Sequence, residues 1–320
     1  MYPTRATVDC RSACAKVNLS LLVGPLRDDG YHNIWTVFAP VTLCDEIEFA
    51  LSACAPGGVR PSLLVQCPGV SQSDNLATRA LRSLEDETGW YLGGFVNIQK
   101  VIPPASGLGG GSSDAAAALR AGVEAIEAAG GPSTSEDALR KIARRLGADV
   151  AFFLDARPSV GRGVGDLLEP LSLPEIPLVL LLPQEELSAA EVYQTYDGVA
   201  SSESPASFQA RYRIGEMSWR SLSDAWTSSD LGLQAAVMQA AGLLMNDLEV
   251  ACLHILPSLK GRRDALIHQG ALGAIVSGSG PTVFGVFASA EEADGACAKL
   301  RAVGHEAHRA ATLAGSFASA

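Results

Sequence analysis

The sequence predicts an α+β protein built from two layered halves, residues 1–170 and 171–320, with a functional site in the cleft between them. Three observations carry that prediction. A chain of 320 residues with 48% apolar and 18% charged side chains can bury one large core or two ordinary ones. Residues 95–129 read as strand, glycine-rich loop and helix in unbroken succession. After Asp166 the texture changes to short apolar strands separated by helical stretches.

Taken in order, Cys14 to Val23 is rich in aliphatic residues and stops at Gly24-Pro25, which predicts a strand entering a turn. Asp28-Asp29-Gly30 forces another turn before Tyr31 and His32. Residues 41–51 alternate as a strand, and 57–69 read as hairpin and loop. Asn75 to Thr88 spaces its apolar residues at helical intervals and ends at Gly89. Phe95 to Ile102 is a strand closed by Pro103-Pro104. The Ala-rich run from Asp114 to Ala129 predicts a helix stopped by Gly130-Gly131-Pro132. Ser133 and Glu136 have capping-box spacing for a second helix, running to Arg145 and ending at Gly147. Leu178 to Leu182 predicts a central strand and Ser188 to Tyr196 a helix. Residues 198–207 read as a Ser-rich loop, and the stretch to residue 230 has no assignable role. Two helices are expected over 231–250 and 255–269, then strands at 274–277 and 282–287 around a Gly-Ser-Gly-Pro turn. A last helix spans 291–303, and a disordered tail begins at Leu313.

Charge and cysteine usage narrow the function. With 24 basic and 35 acidic residues the formal charge is −11, which argues against nucleic acid or an anionic membrane as partner. An anionic substrate must then be held by a local cluster of donors. Seven scattered cysteines without a CxxC pair suggest reduced thiols, neither a disulfide framework nor a zinc site. No run reaches the roughly 18 apolar residues of a membrane span, and the start of the chain lacks a secretory pattern. A cytoplasmic protein is expected.

Gly107-Leu108-Gly109-Gly110-Gly111-Ser112-Ser113, delivered by a strand to a helix N-terminus, suits a phosphate: bare backbone N–H groups and the positive end of the helix dipole converge. A Walker A loop is excluded, since no lysine lies between Lys100 and Lys141. A dinucleotide fingerprint fails because Ser112 stands where its third glycine belongs. A tight turn packing a helix closely is the plain alternative. Lys16, between Ala15 and Val17, is badly placed for an ammonium unless the strand turns it toward a polar cleft; otherwise it faces solvent. Asp149, after a helix end, reads alone as a turn or capping residue. In contact, the two would keep each other ionised and leave a carboxylate able to take a proton from a hydroxyl.

Three segments together resemble one family, the GHMP small-molecule kinases: Ala15-Lys16-Val17-Asn18-Leu19 with Asp29-Gly30-Tyr31-His32, then Pro103 to Ser113, then Ser277 to Thr282. Leu146 to Val150 and Asn246-Asp247-Leu248-Glu249 follow the order of one branch of that family, over most of residues 12–310. The resemblance implies a ribosomal-protein-S5-like N-terminal domain and a ferredoxin-like C-terminal domain. It also implies ATP-dependent phosphorylation of the tertiary C2 hydroxyl of a cytidylyl-linked methylerythritol, in non-mevalonate isoprenoid precursor synthesis.

By position in these motifs, Asp149 would be the base and Lys16 its partner. Lys100, Pro103, Ser106, Gly107, Leu108, Gly109, Gly110, Gly111, Ser112 and Ser113 would hold ATP. Asn18, Tyr31, His32 and Tyr193 would bind the acceptor, the tyrosines stacking on its cytosine. Mg²⁺ should accompany ATP, without ligands that can be assigned. The partners implied are small molecules only, and the protein a monomer or homodimer. Homoserine- or mevalonate-type kinases fit Tyr31, His32 and Asp149 less well, and a non-catalytic member would be expected to lack Lys16 or Asp149. Two positions depart from the branch: Ala151 replaces a proline after LGADV, and Ala189 replaces a threonine beside Ser188. The first bears on the loop carrying Asp149, the second on a hydroxyl that could touch the acceptor.

Overall fold

The computed structural model describes residues 8–199 and 204–314. Two long strands form the spine of the first sheet: β1 (Asp9–Leu26) and β2 (His32–Cys54) pair antiparallel over almost their whole lengths. Sequence alternation marked only residues 41–51 of β2, because residues 34–41 (IWTVFAPV) are apolar on both faces. They are strand nonetheless, with Trp35, Val37 and Phe38 buried and β1 and β5 (Ser159–Arg162) pairing on either side. This two-sided burial is what erases the alternation. On the other flank, β4 (Tyr91–Gln99) pairs β2 antiparallel and β3 (Leu63–Gln66) pairs β4 in parallel; β6 (Leu167–Pro170) pairs β5.

Four helices belong to this half: α1 (Leu76–Thr88), α2 (Gly110–Ala128), α3 (Glu136–Leu146) and α4 (Ala148–Phe153). Asn75 caps α1 by accepting from the Ala77 N–H, and Gly89 ends it at φ 73°. The buried positions of α2 are largely alanine, which lets α1 and the sheet approach closely; a Cβ on Gly122 would meet Leu84 at 2.8 Å. Two boundaries differ from the sequence reading. The α2 helix begins at Gly110, four residues before Asp114, because glycines that disfavour a helix interior are tolerated in its first turn. The cap of α3 is Ser135 rather than Ser133, its Oγ accepting from the Ala138 N–H at 3.3 Å.

The second sheet has the order β11-β7-β10-β9, from β7 (Pro177–Leu181), β9 (Gly273–Val276), β10 (Val283–Val286) and β11 (Ala307–Ala311). With helices between β7 and β9 and α10 (Ala290–Ala302) between β10 and β11, this is the split βαβ arrangement of a ferredoxin-like unit. The region between β7 and β9 departs most from the sequence reading. After α5 (Ala189–Val199), the segment read as a Ser-rich loop becomes, from Pro205, the helix α6 (Pro205–Thr227); positions 200–203 lie outside the described residues. Ser204 caps it, with Pro205 in the first turn, so residues that suggest a loop are here a helix start. The helix docks on β1 through buried Phe208 and Trp219, whose indole N–H donates to Ser20 Oγ at 2.9 Å.

The single helix expected over 231–250 is also corrected. Helix α7 (Leu233–Gly242) ends, Met245–Asn246 forms β8 in parallel beside Ser20 and Leu21 of β1, and α8 (Glu249–Ile255) follows before α9 (Ser258–His268). The first sheet therefore borrows a strand from late in the chain, giving the order β3-β4-β2-β1-β8. Of the tail read as disordered, Leu313 donates its N–H to Pro40 O at 2.8 Å, and 315–320 lie outside the described residues. Among the described residues no helix is long and apolar enough to cross a membrane.

Candidate active site

The glycine loop is shaped by contacts that leave no room for side chains. Gly107, at φ 78°, presses against the turn after β9, where an added Cβ would lie 2.3 Å from Ser277 O. Ser277 Oγ–H donates to Gly107 O at 3.2 Å, and the Thr282 N–H to Ser106 O at 3.2 Å. The two glycine-bearing motifs, some 170 residues apart in the chain, thus brace each other. Gly109, at φ 72°, opens α2 without a side-chain cap. The first-turn amides of Gly110, Gly111 and Ser112 have no acceptor within an α-helix, and the positive end of its dipole lies there. They line a cleft of about 350 Å³ with Pro103, Ser106, Gly107 and Lys100. Leu108 and Ser113 sit behind this lining, 0% and 4% exposed; Leu108 contributes its carbonyl, which accepts from the Lys16 N–H at 2.9 Å. Val70, Asp74, Asn75 and Leu76, which carry no sequence signal, form another part of the wall.

Lys16 and Asp149 meet at the edge of this cleft. Lys16 Nζ, 4% exposed as a residue, lies 3.6 Å from Asp149 Oδ2 and donates to Asn18 Oδ1 at 2.8 Å and Gly107 O at 2.9 Å. Asn18 is oriented in turn: its Nδ2 donates to Thr36 Oγ1 at 2.7 Å, and that hydroxyl donates to Ser20 O at 2.7 Å. The relay fixes the Asn18 carbonyl toward the ammonium and meets the need of a buried charge for partners. Asp149 lies in the first turn of α4, where the helix dipole favours a carboxylate, and its side chain is 33% exposed. The helix forms with Ala151 buried at 2%.

A second space of about 330 Å³ shares Lys16, Asp149 and Ser112 with the cleft, and Tyr193 and Ala148 with a third cavity of about 1140 Å³. Ala189 lines both of these, so the missing threonine hydroxyl would have faced open space. The large cavity holds Tyr31, His32 and Tyr193 in its wall. Tyr31 is 64% exposed at the rim. His32 is buried, and its Nδ1–H donates to Gly24 O at 2.7 Å while Nε2 lies 3.3 Å from Asp197 Oδ1. Its ring stacks on Tyr193 with centroids 5.5 Å apart and planes 25° apart. Burial, with Asp149 and then Tyr196 adding to it, pushes the Tyr193 phenol well above its ordinary range.

Two further groups carry the site without having been singled out as site residues in the sequence. Asn246 donates its amide to Val276 O and Gly278 O, both at 2.8 Å, and accepts from the Leu248 N–H. Asp247 accepts from the Val23 N–H at 2.8 Å, and Glu249 from the Val276 N–H at 3.2 Å. The Asn-Asp-Leu-Glu stretch therefore props the Ser277–Thr282 turn against the glycine loop. The other group surrounds Lys100, whose Nζ donates to Asp45 at 2.5 Å and Asp114 at 2.9 Å. Asp45, fully buried, also accepts from the N–H groups of Val101 and Ile102. Burial works against the Lys100 ammonium, but Asp114 and Asp45 outweigh it and hold its pKa up. Burial raises the Asp114 carboxyl to about 7, against Lys100 and with Asp45. Among the described residues no group of three His, Cys, Asp or Glu side chains converges as a metal site.

Residues 75–157 match the GHMP kinases N terminal domain and residues 228–306 the GHMP kinases C terminal domain. A 4-diphosphocytidyl-2-C-methyl-D-erythritol kinase of Thermobifida fusca is 37% identical over 311 residues, covering 94% of this chain and 93% of that one. One from Anaeromyxobacter sp. (strain K) is 36% identical over 293 residues, covering 90% and 84%. The crystal structure of a 4-(cytidine 5'-diphospho)-2C-methyl-D-erythritol kinase superposes with a TM-score of 0.70 at 32% identity, over 95% of this chain and 99% of that one. The crystal structure of an L. major mevalonate kinase in complex with R-mevalonate shares the fold at 18% identity, with a TM-score of 0.66 over 98% of each chain.

Proposed function

The chain belongs to the GHMP kinase family, and on that premise we propose that it transfers the γ-phosphoryl group of ATP to the C2 hydroxyl of 4-diphosphocytidyl-2-C-methyl-D-erythritol, in the non-mevalonate route to isoprenoid precursors. One observation carries the reading: Lys16 and Asp149, 3.6 Å apart, stand where an amide-lined anion cleft joins a cavity walled by aromatic residues. Phosphoryl transfer asks a protein mainly for alignment and charge stabilisation. The cleft's backbone donors hold the α- and β-phosphates, with Ser112 beside them. Asp149 accepts the proton of the attacking hydroxyl as the oxygen–phosphorus bond forms, and Lys16 steadies the charge on that oxygen. The amide oxygen of Asn18 keeps Lys16 aimed at the junction. Tyr31 and Tyr193 flank the cytosine, and His32 offers Nε2 to its edge.

Mg²⁺ fits this cleft as a passenger on the nucleotide, keeping phosphate and water oxygens as its ligands, so that Asp149 stays available to take the hydroxyl proton. When bound it neutralises charge on the transferring phosphates. We take residues 1–170 as the N-terminal, ATP-binding GHMP kinase domain and residues 171–320 as the C-terminal GHMP kinase domain, with small molecules as the only partners of a cytoplasmic monomer or homodimer. The seven free cysteines support a reducing compartment. A coupled ADP-release assay with ATP, Mg²⁺ and a panel of alcohols tests the reading. Turnover is expected with the cytidylyl alcohol and not with homoserine or mevalonate; preference for either of these would overturn it.

A further inference from the structure

Three charged groups at the cleft, Lys100 in its lining and the two acids that hold that ammonium, take no part in the chemical step above. Asp45, Lys100 and Asp114 come from β2, the end of β4 and the second turn of α2, and they are 0%, 12% and 4% exposed at the side chain. With all three ionised the cluster carries a net −1, buried where ionised carboxylates are least tolerated. One oxygen shows the strain in this arrangement: Asp114 Oδ1 is buried and lacks a hydrogen-bond partner, while Oδ2 accepts from Lys100. The two carboxyl groups share one ammonium, Lys100 Nζ lying 2.5 Å from Asp45 Oδ2 and 2.9 Å from Asp114 Oδ2, so a proton on Asp114 leaves the cluster neutral. Lys100 and Asp114 both line the cleft, and the amides that would hold phosphate stand two to four residues before Asp114 on the same helix.

A nucleotide entering this cleft brings several negative charges toward a cluster that is already negative. We infer that Asp114 is a positioning residue that takes up one proton from solvent as the nucleotide binds, so that the Asp45–Lys100–Asp114 cluster is neutral while the phosphates are held. The inference rests on the nucleotide reading of the cleft. Its carboxyl, raised to about 7 in the free protein by burial against Lys100 and with Asp45, is already close to taking the proton. The sign follows from linkage: the bound form holds the proton more tightly, so affinity is full below the free value and falls as pH rises through it, by up to tenfold per unit. Other ionisable groups face the same space: Cys67 after β3, Asp74 before α1, Lys16 on β1 and Asp149 on α4. They are common to the wild type and a single variant, so the difference between the two isolates Asp114.

The test is calorimetric binding of Mg²⁺·ADP in two buffers of different ionisation enthalpy, from about pH 6 to pH 8.5, for the wild type and Asp114→Asn. An asparagine reproduces the neutral acid and can still accept from Lys100. The variant should match the wild type at the acid end, bind ADP severalfold or more tightly at the alkaline end, and take up less proton per ADP. A purely structural role predicts weaker binding at every pH, and that result, or equal proton uptake in both proteins, would overturn the inference. The wild type alone offers a second readout: ADP should raise the protonated-carboxyl infrared band near neutral pH, and an unchanged band would overturn the inference too. If the wild type bound no ADP at all, the nucleotide reading itself would fall, a result distinct from binding without proton uptake.

Discussion

The two arms of the site are built from different materials. The glycine-loop cleft is mostly backbone: glycines at positive φ, first-turn amides and a loop braced by a turn from the other sheet. The large cavity is made of side chains, with Tyr31 exposed at the rim and His32 and Tyr193 stacked below it. Backbone donors read any polyphosphate alike, whereas an aromatic wall with an imidazole edge reads one base. The contrast teaches where generality and selectivity reside.

The sharpest way to break the comparison is at the junction. Asp149→Asn should lower kcat by about 10²- to 10⁴-fold while ADP affinity changes little, because a positioned base acts on the acceptor rather than the nucleotide. Single-turnover kinetics with parallel ADP titration checks this, and near-normal turnover would remove Asp149 from its role. Next comes the backbone arm: Gly107→Ala places a Cβ against Ser277 O at a positive φ, so stability should drop by about 1–3 kcal/mol and nucleotide affinity should fall with it. Thermal unfolding with and without ADP measures both. In the side-chain arm, Tyr193→Ala should raise the acceptor KM by roughly 5- to 150-fold, the scale of one base–aromatic stack, and leave the KM for ATP alone. Tyr31→Ala should do the same more weakly, since that residue is 64% exposed and touches less of the cavity wall. Equal effects on both substrates would dissolve the distinction between the arms.

What could be read in the chain beforehand divides along a related line. The glycine loop, the helix after it and the stop of α1 at Gly89 are local, each fixed by neighbours within a few residues, and local chemistry is visible in a sequence. Lys16 and Asp149 were each unremarkable in isolation; the resemblance joined them, and the 3.6 Å approach is the geometry that joining required. Asp45 could not have been found this way. It is one acid in a run of alternating residues, and only the pairing of β2 with β4 carries it to Lys100. The helix α6 was hidden because serine and proline favour both loops and helix starts, and only the docking of Trp219 against β1 decides between them. Gly242 ends α7 for a similar reason: Met245–Asn246 gains more from lying beside Ser20 and Leu21 than from continuing a helix.

That borrowed strand sets a limit on dissecting the molecule. Without Met245–Asn246 the β1 backbone at Ser20 and Leu21 would be stripped of its neighbour, and an unprotected strand margin is a template for self-association. A polypeptide halted at residue 170 should therefore form aggregates on size-exclusion chromatography, and supplying residues 171–320 in trans should restore a defined species.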